Sequence, residues 1–262
     1  MACPPLPLDL VYMIIDSLHD HRPALEVCSR VCKAWTWPAQ RLLFMRLILD
    51  RHNMRRLSNL GVNSHRRAIL AHVRHIILLG ARGLVDGPLW AEAMPLLVGV
   101  ENTRRLTIAY FHVCHSIQSG LFDQLANTVI LTILNIRCNS FSDLVQLICA
   151  FPRLEEMTLS LTAPFWSNPH QPPIAYRLPR SLRSLSLVLS ARHEEPISML
   201  EWFASQQPLP LQTFGLDYSA PAQRAIPHIN EFLQHLGPIL ETAEFTSNGC
   251  TFFPPSLRQS PY

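Results

Sequence analysis

Apolar residues recur along this chain in a fixed short pattern: an anchor, two residues, a second apolar position, one residue, a third. It reads F-M-R-L-I-L from Phe44, V-R-H-I-I-L from Val73, T-R-R-L-T-I from Thr103 and L-T-I-L-N-I from Leu131. It returns as L-E-E-M-T-L from Leu154, L-R-S-L-S-L from Leu182, L-Q-T-F-G-L from Leu211 and L-E-T-A-E-F from Leu240. Successive anchors stand 29, 30, 28, 23, 28, 29 and 29 residues apart. The closing alternation of each unit predicts a short strand with one buried face. The intervening segments carry helical spacing and helix-start signals. Pro88 opens PLWAEAMPLLVGV, Ser140 precedes FSDLVQLICAF, Pro196 opens PISMLEWFASQ, and RAIPHINEFLQHLG stops at Gly237. The proline-dense stretch 164–179 predicts an extended loop instead. Strand, turn, helix and turn at this period predict an α/β solenoid over residues 44–250, with a curved parallel sheet whose neighbouring units bury one another's apolar faces.

In such a sheet, residues alternating with the apolar pairs face away from the core. That places His75, Arg105, Arg137, Glu156, Ser186, Asp217 and Glu244 on the face available to a partner. The charge runs from basic to acidic, so a protein partner with the opposite gradient is expected.

The front of the chain follows another period. In LPLDLVYMIIDSLHD, residues 6–20, apolar positions spread beyond a single helical stripe. Such a helix is too apolar for a water-facing surface and too short for a bilayer, which takes about 20 residues. Pro23 suits the start of a second helix carrying Leu25, Cys28, Val31, Cys32 and Trp35, and Pro38 the start of a third through Leu42. Three short helices enclose little apolar surface by themselves, so the first needs a partner surface, either the repeats or another chain.

Composition narrows the function classes. Hydrophobic residues make up 48% of 262, which fits a folded chain rather than a disordered one. No apolar run reaches membrane-spanning length and the start lacks a basic region before an apolar one, so neither a membrane span nor a signal peptide is expected. Seven irregularly spaced cysteines without a secretory signal point to reduced thiols in cytoplasm or nucleus. Residues 1–82 carry 12 Lys+Arg against 5 Asp+Glu and the rest 10 against 14, but the early arginines are scattered among apolar positions. Neither membrane nor nucleic-acid binding is therefore expected, and the basic stretch 41–57 reads better as a strand at 44–49 followed by a basic helix from His52. Cys28 and Cys32, at helical spacing, read as a packed face, and HVCH at 112–115 lacks completing ligands. No phosphate loop, nucleophile elbow or zinc-protease motif is present, so no cofactor, metal or catalytic set is assigned and a non-enzymatic role is expected.

Two resemblances sharpen this. The repeats resemble leucine-rich repeats of the longer, helix-bearing kind, which place Asn or Cys three residues after the last strand leucine. Asn139 and Asn248 stand there, and His52, Ala81, Phe111, Thr162, Ser190 and Ser219 do so in the other units. Residues 4–44 resemble an F-box, through Leu6-Pro7, Asp9, Ile14, Leu18, Leu25, Cys28, Val31, Cys32, Trp35, Arg41, Leu43 and Phe44; Trp37 is an extra aromatic. The resemblance implies that the first module docks a Skp-type adaptor and through it a cullin–RING ubiquitin ligase, while the repeats hold a substrate protein. Leu6, Pro7, Leu10, Ile14, Leu18, Val31 and Trp35 are the expected adaptor anchors, and 251–262 is expected to be a poorly ordered tail. A repeat scaffold acting outside ubiquitin transfer is the alternative. A hydrolase is the third reading, which a catalytic dyad with a perturbed histidine would favour. Of the 22 basic residues only Lys33 is a lysine, which would limit self-modification in a ligase receptor.

Overall fold

A computed structural model describes residues 6–50, 64–80, 100–110, 122–138, 140–161, 176–189, 195–206, 209–218, 225–236 and 239–247, with 52–54, 57 and 97 between them. The helix expected at Pro88, most of the loop at 164–179, HVCH, Asn139, the stop at Gly237, Asn248 and the tail lie outside the described residues.

The chain starts with three helices, α1 (Leu8–Ser17), α2 (Arg22–Val31) and α3 (Lys33–Leu43). Strands then alternate with further helices: β1 (Arg46–Leu49), α4 (Ser64–Leu70), β2 (His75–Leu79), β3 (Arg105–Ala109), a single 3-10 turn (Asp123–Leu125) and β4 (Ile130–Leu134). There follow α5 (Phe141–Cys149), β5 (Glu156–Leu161), β6 (Ser184–Leu189), α6 (Glu195–Ser205), β7 (Thr213–Tyr218), α7 (Ala225–Leu236) and β8 (Thr242–Ser247). The strands form one open, all-parallel sheet of eight in sequence order, an α/β solenoid-like arrangement.

Local chemistry explains the elements. Ser140 caps α5: its Oγ accepts from the Asp143 N–H at 3.3 Å, and the Asp143 carboxylate accepts from the Ser140 N–H at 3.0 Å. Phe141, Leu144, Val145, Leu147 and Ile148 of that helix are buried. On the sheet, two rows of side chains point inward. Ile76, Leu106, Leu131, Met157, Leu185 and Phe214 form one, and Leu49, Leu78, Ile108, Ile133, Leu159, Leu187 and Leu216 the other. These belong to one core running from Leu49 to Leu236. Truncating such a side chain to Ala costs about 2–5 kcal/mol, because the walls of the hole relax only partly.

At the strand starts a backbone relay ties each unit to the next. The Arg74 carbonyl accepts from the N–H groups of Arg104 and Arg105, each at 3.0 Å. Arg104 does the same for Val129 and Ile130, Val129 for Glu155 and Glu156, Glu155 for Arg183 and Ser184, Arg183 for Gln212 and Thr213, and Gln212 for Glu241 and Thr242. Each of these turns thereby pairs its backbone groups with the neighbouring unit.

The register corrects the fourth unit. Arg105 pairs with Ile130, and Ile130 with Glu156, so the anchor is Thr128 rather than Leu131. The spacings become 29, 30, 25, 26, 28, 29 and 29 residues. Leu131 and Ile133 point inward, and Arg137 lies exposed beyond the end of β4, off the strand where the sequence placed it. The turn position of that unit falls on buried Ile136 instead of Asn139.

The helical module is corrected too. α2 stops at Val31, and Cys32 is fully extended (φ −163°, ψ 169°). Trp35 therefore sits on α3, Lys33 opens α3, and Pro38 lies inside that helix rather than at its start. The Thr36 hydroxyl fixes the corner, reaching the carbonyls of Ser29 at 3.0 Å and Cys32 at 2.9 Å. A separate small core holds the module, formed by Val11, Ile15, Leu25, Cys28 and Ala39 with Leu18, Trp35, Leu42 and Leu43 packed around it.

Candidate functional site

Two surfaces are candidates. The first is the outer side of the helical module. Along α1 the chain splits its apolar residues between two faces: Val11, Ile15 and Leu18 turn inward, while Leu10, Met13 and Ile14 turn outward. Met13 is 67% exposed, and on α2 Val27 and Val31 are 66% and 58% exposed. Eight of the eleven exposed large hydrophobic residues among those described fall between Leu6 and Trp37. Burying a side chain of this kind is worth about 1.5–3 kcal/mol, so the module leaves a large driving force unused.

Its frame is held by polar contacts at the rim. The Pro7 carbonyl accepts from the Val11 N–H at 3.2 Å and starts α1, with Asp9 favourably placed in the first turn. Arg41 on α3 reaches the Asp16 carboxylate at 3.2 Å, tying α3 to α1. The His21 ring nitrogen accepts from the Ala24 N–H at 3.3 Å and opens α2.

Of the expected adaptor anchors, Leu6, Pro7, Leu10, Ile14 and Val31 are exposed. Leu18 and Trp35 instead are half-buried against the module's own core, so their first role is in holding the helices together. The sequence passed over Leu8, Met13 and Val27, which share the exposure; the signal was available in the i, i+3, i+4 spacing opposite Val11 and Ile15.

The second surface is the open face of the sheet. Its first row runs Arg46, His75, Arg105, Ile130, Glu156, Ser184, Thr213, Thr242 in register across the strands. The next runs Ile48, Ile77, Thr107, Thr132, Thr158, Ser186, Gly215, Glu244, and Asp217 lies in the third. Arg105, Glu156 and Glu244 are exposed; His75, Ser186 and Asp217 are half-buried. Six of the seven residues expected on this face are on it, and Arg137 is not. A Cβ at Gly215 would come within 3.3 Å of the Ser186 hydroxyl, so the middle row is kept low there.

His75 Nε2 and Thr107 Oγ1 are 3.0 Å apart. Burial first, and then the charges of Arg46 and Arg105, push the imidazole down to about 4. That value makes it a poor general base near neutral pH, where a group titrating close to 7 serves best. The pair therefore carries little weight for the hydrolase reading.

Elsewhere, α6 and α7 border a cavity of about 260 Å³ lined by Glu201, Ser205, His228, Glu231 and His235, with His228 3.6 Å from Glu201. Among the described residues no group of three or more His, Cys, Asp or Glu is arranged to hold a metal, and Cys28 and Cys32 part company at the helix break, one buried and one exposed. Cys149 donates to the Arg177 carbonyl at 3.1 Å, and burial pushes its thiol up to about 11, which suits a structural rather than a reactive cysteine. No described helix is long and apolar enough to cross a membrane.

Compared with protein-family models and with curated proteins, the chain matches none.

Proposed function

We propose that this chain is the substrate-receptor subunit of a Skp–cullin–F-box ubiquitin ligase, a non-enzymatic protein in which residues 4–44 dock the adaptor and leucine-rich-repeat-like units hold a substrate protein. The observation that carries the reading is the outward apolar face of α1 and α2 on a module that already has its own core. A helix that buries Val11 and Ile15 and still exposes Leu10, Met13 and Ile14 is built for a second partner. The F-box resemblance supplies the partner's identity. Chemistry then belongs to thioesters carried by other subunits, and this chain contributes proximity, turning the encounter of substrate lysine and ubiquitin carrier into an effectively intramolecular one.

The test is retention of a recombinant Skp-type adaptor by the purified chain. Ile14→Ala and Val31→Ala leave folding within about 0.5 kcal/mol, since both side chains are already exposed. Together they weaken adaptor binding by about 2 kcal/mol, roughly thirtyfold. Leu18→Ala or Trp35→Ala lowers the melting temperature as well. A Leu6→Ala, Pro7→Ala double variant that holds the adaptor as tightly as the unaltered chain would sink this docking mode.

A further inference from the structure

We propose that the open sheet face binds an extended peptide segment of mixed charge, its carboxylates over Arg46, His75 and Arg105 and a basic side chain over Glu156. The receptor reading gives this its setting; its chemistry stands on the sheet alone.

Parallel register aligns Arg46, His75 and Arg105 on three adjacent strands in one row. Neighbouring strands lie about 4.8 Å apart, so the outer two bases stand about 10 Å from each other. Among the described residues no carboxylate lies within ion-pair distance of any of the three, and the two arginines help hold His75 neutral. Two guanidinium charges flanking an imidazole, without an acid, are unfavourably placed until an anion arrives. Ile130 then separates Arg105 from Glu156 in the same row, which keeps the basic and acidic ends from neutralising each other. From Arg46 to Glu156 is four strand intervals, about 19 Å, the reach of about six residues of extended chain. Beside this track lie the hydroxyls of Thr107, Thr132 and Thr158, which offer hydrogen bonds to a peptide backbone. Nucleic acid fits poorly: Glu156, Asp217 and Glu244 repel phosphates on the same face, and the three rows carry no Phe, Tyr or Trp on which successive bases could stack.

The groups facing His75 are Arg46 on β1 and Arg105 and Thr107 on β3. A bound carboxylate counters the two arginines and raises the imidazole, so binding takes up a proton and tightens as pH falls. Burial still opposes the charged ring in the complex, so the gain between pH 7.5 and 5.5 stays below the roughly tenfold that a full return from about 4 to 6.5 would give. Peptide carboxylates stay largely ionised over that window.

The experiment titrates the full chain into a fluorescent peptide with Glu at its first and third positions, Lys at its sixth and Ser elsewhere, followed by anisotropy. Two further probes are the same composition with Lys placed between the Glu residues, and a short oligothymidylate. The ordered peptide should bind saturably, more tightly than either, with a clear gain, below about tenfold, from pH 7.5 to 5.5. Arg46→Ser with Arg105→Ser should weaken it at least tenfold while adaptor retention stays unchanged. His75→Gln should keep binding at pH 7.5 and lose the pH gain. Equal binding of the shuffled peptide, tighter binding of the oligonucleotide, no saturable binding, or indifference to the double variant would each overturn the proposal. Because no adaptor is present, failure here leaves the docking reading standing, and the reverse.

Discussion

Thr103 and Thr128 occupy the same repeat position, both are buried, and only one is satisfied. The Thr128 hydroxyl donates to the Leu125 carbonyl at 2.7 Å, while Oγ1 of Thr103 has no hydrogen-bond partner among the described residues, although the Thr103 N–H reaches the matching carbonyl of Val100. The two should answer the same substitution with opposite signs. Thr103→Val removes a stranded polar group and is expected to stabilise by about 1 kcal/mol; Thr128→Val gives up a buried hydrogen bond, although the Leu125 carbonyl keeps the Thr128 N–H, and costs about as much. Urea denaturation of both variants measures the difference. These residues also explain where the sequence misled. Thr103 was legible as an anchor because apolar positions followed it in phase. Thr128 was hidden because Leu131, three residues on, offered a hydrophobic alternative. A threonine can serve as a core anchor when the adjoining turn accepts its proton, and hydropathy carries no trace of that bond. The same slip moved Arg137 off the expected face, whereas Arg105, whose unit was in phase, lies where the alternation placed it.

At the scale of elements, α5 was readable from a local signal. Ser140 forms a complete capping box, so Ser140→Ala is expected to cost about 1 kcal/mol. Faster amide exchange over residues 141–149, with the distant strands unchanged, is the measurement that checks it. The boundary between α2 and α3 was not readable. Leu25, Cys28, Cys32 and Trp35 fit one continuous helix, whereas the observed corner is bridged by the Thr36 hydroxyl, which reaches back to the carbonyls of Ser29 in α2 and Cys32 at the corner. That is a contact between residues seven apart, outside any periodicity. Pro38 looked like a helix start, but α3 carries it in its interior at the cost of a backbone bond.

At the scale of the whole molecule, eight strands and their order were legible because one period repeats over two hundred residues, and repetition averages out local ambiguity. The candidate surfaces were legible in part. Alternation gives the face of a strand, but which side of α1 meets its own module depends on where α2 and α3 lie, as exposed Ile14 and half-buried Leu18 show. The carbonyl relay has a mechanical consequence. Each unit is held to the next by the same doubled bond, and strand pairing joins only neighbours, so tension applied along the solenoid should detach units singly from an end rather than rupture the sheet at once. The corrected spacings then fix the lengths released. At about 3.5 Å per extended residue, a 30-residue unit yields about 105 Å of slack and the 25-residue unit about 88 Å. Stretched in an optical trap between its termini, the chain should act as a ruler with two adjacent short divisions; a single rupture event would show that the units yield together.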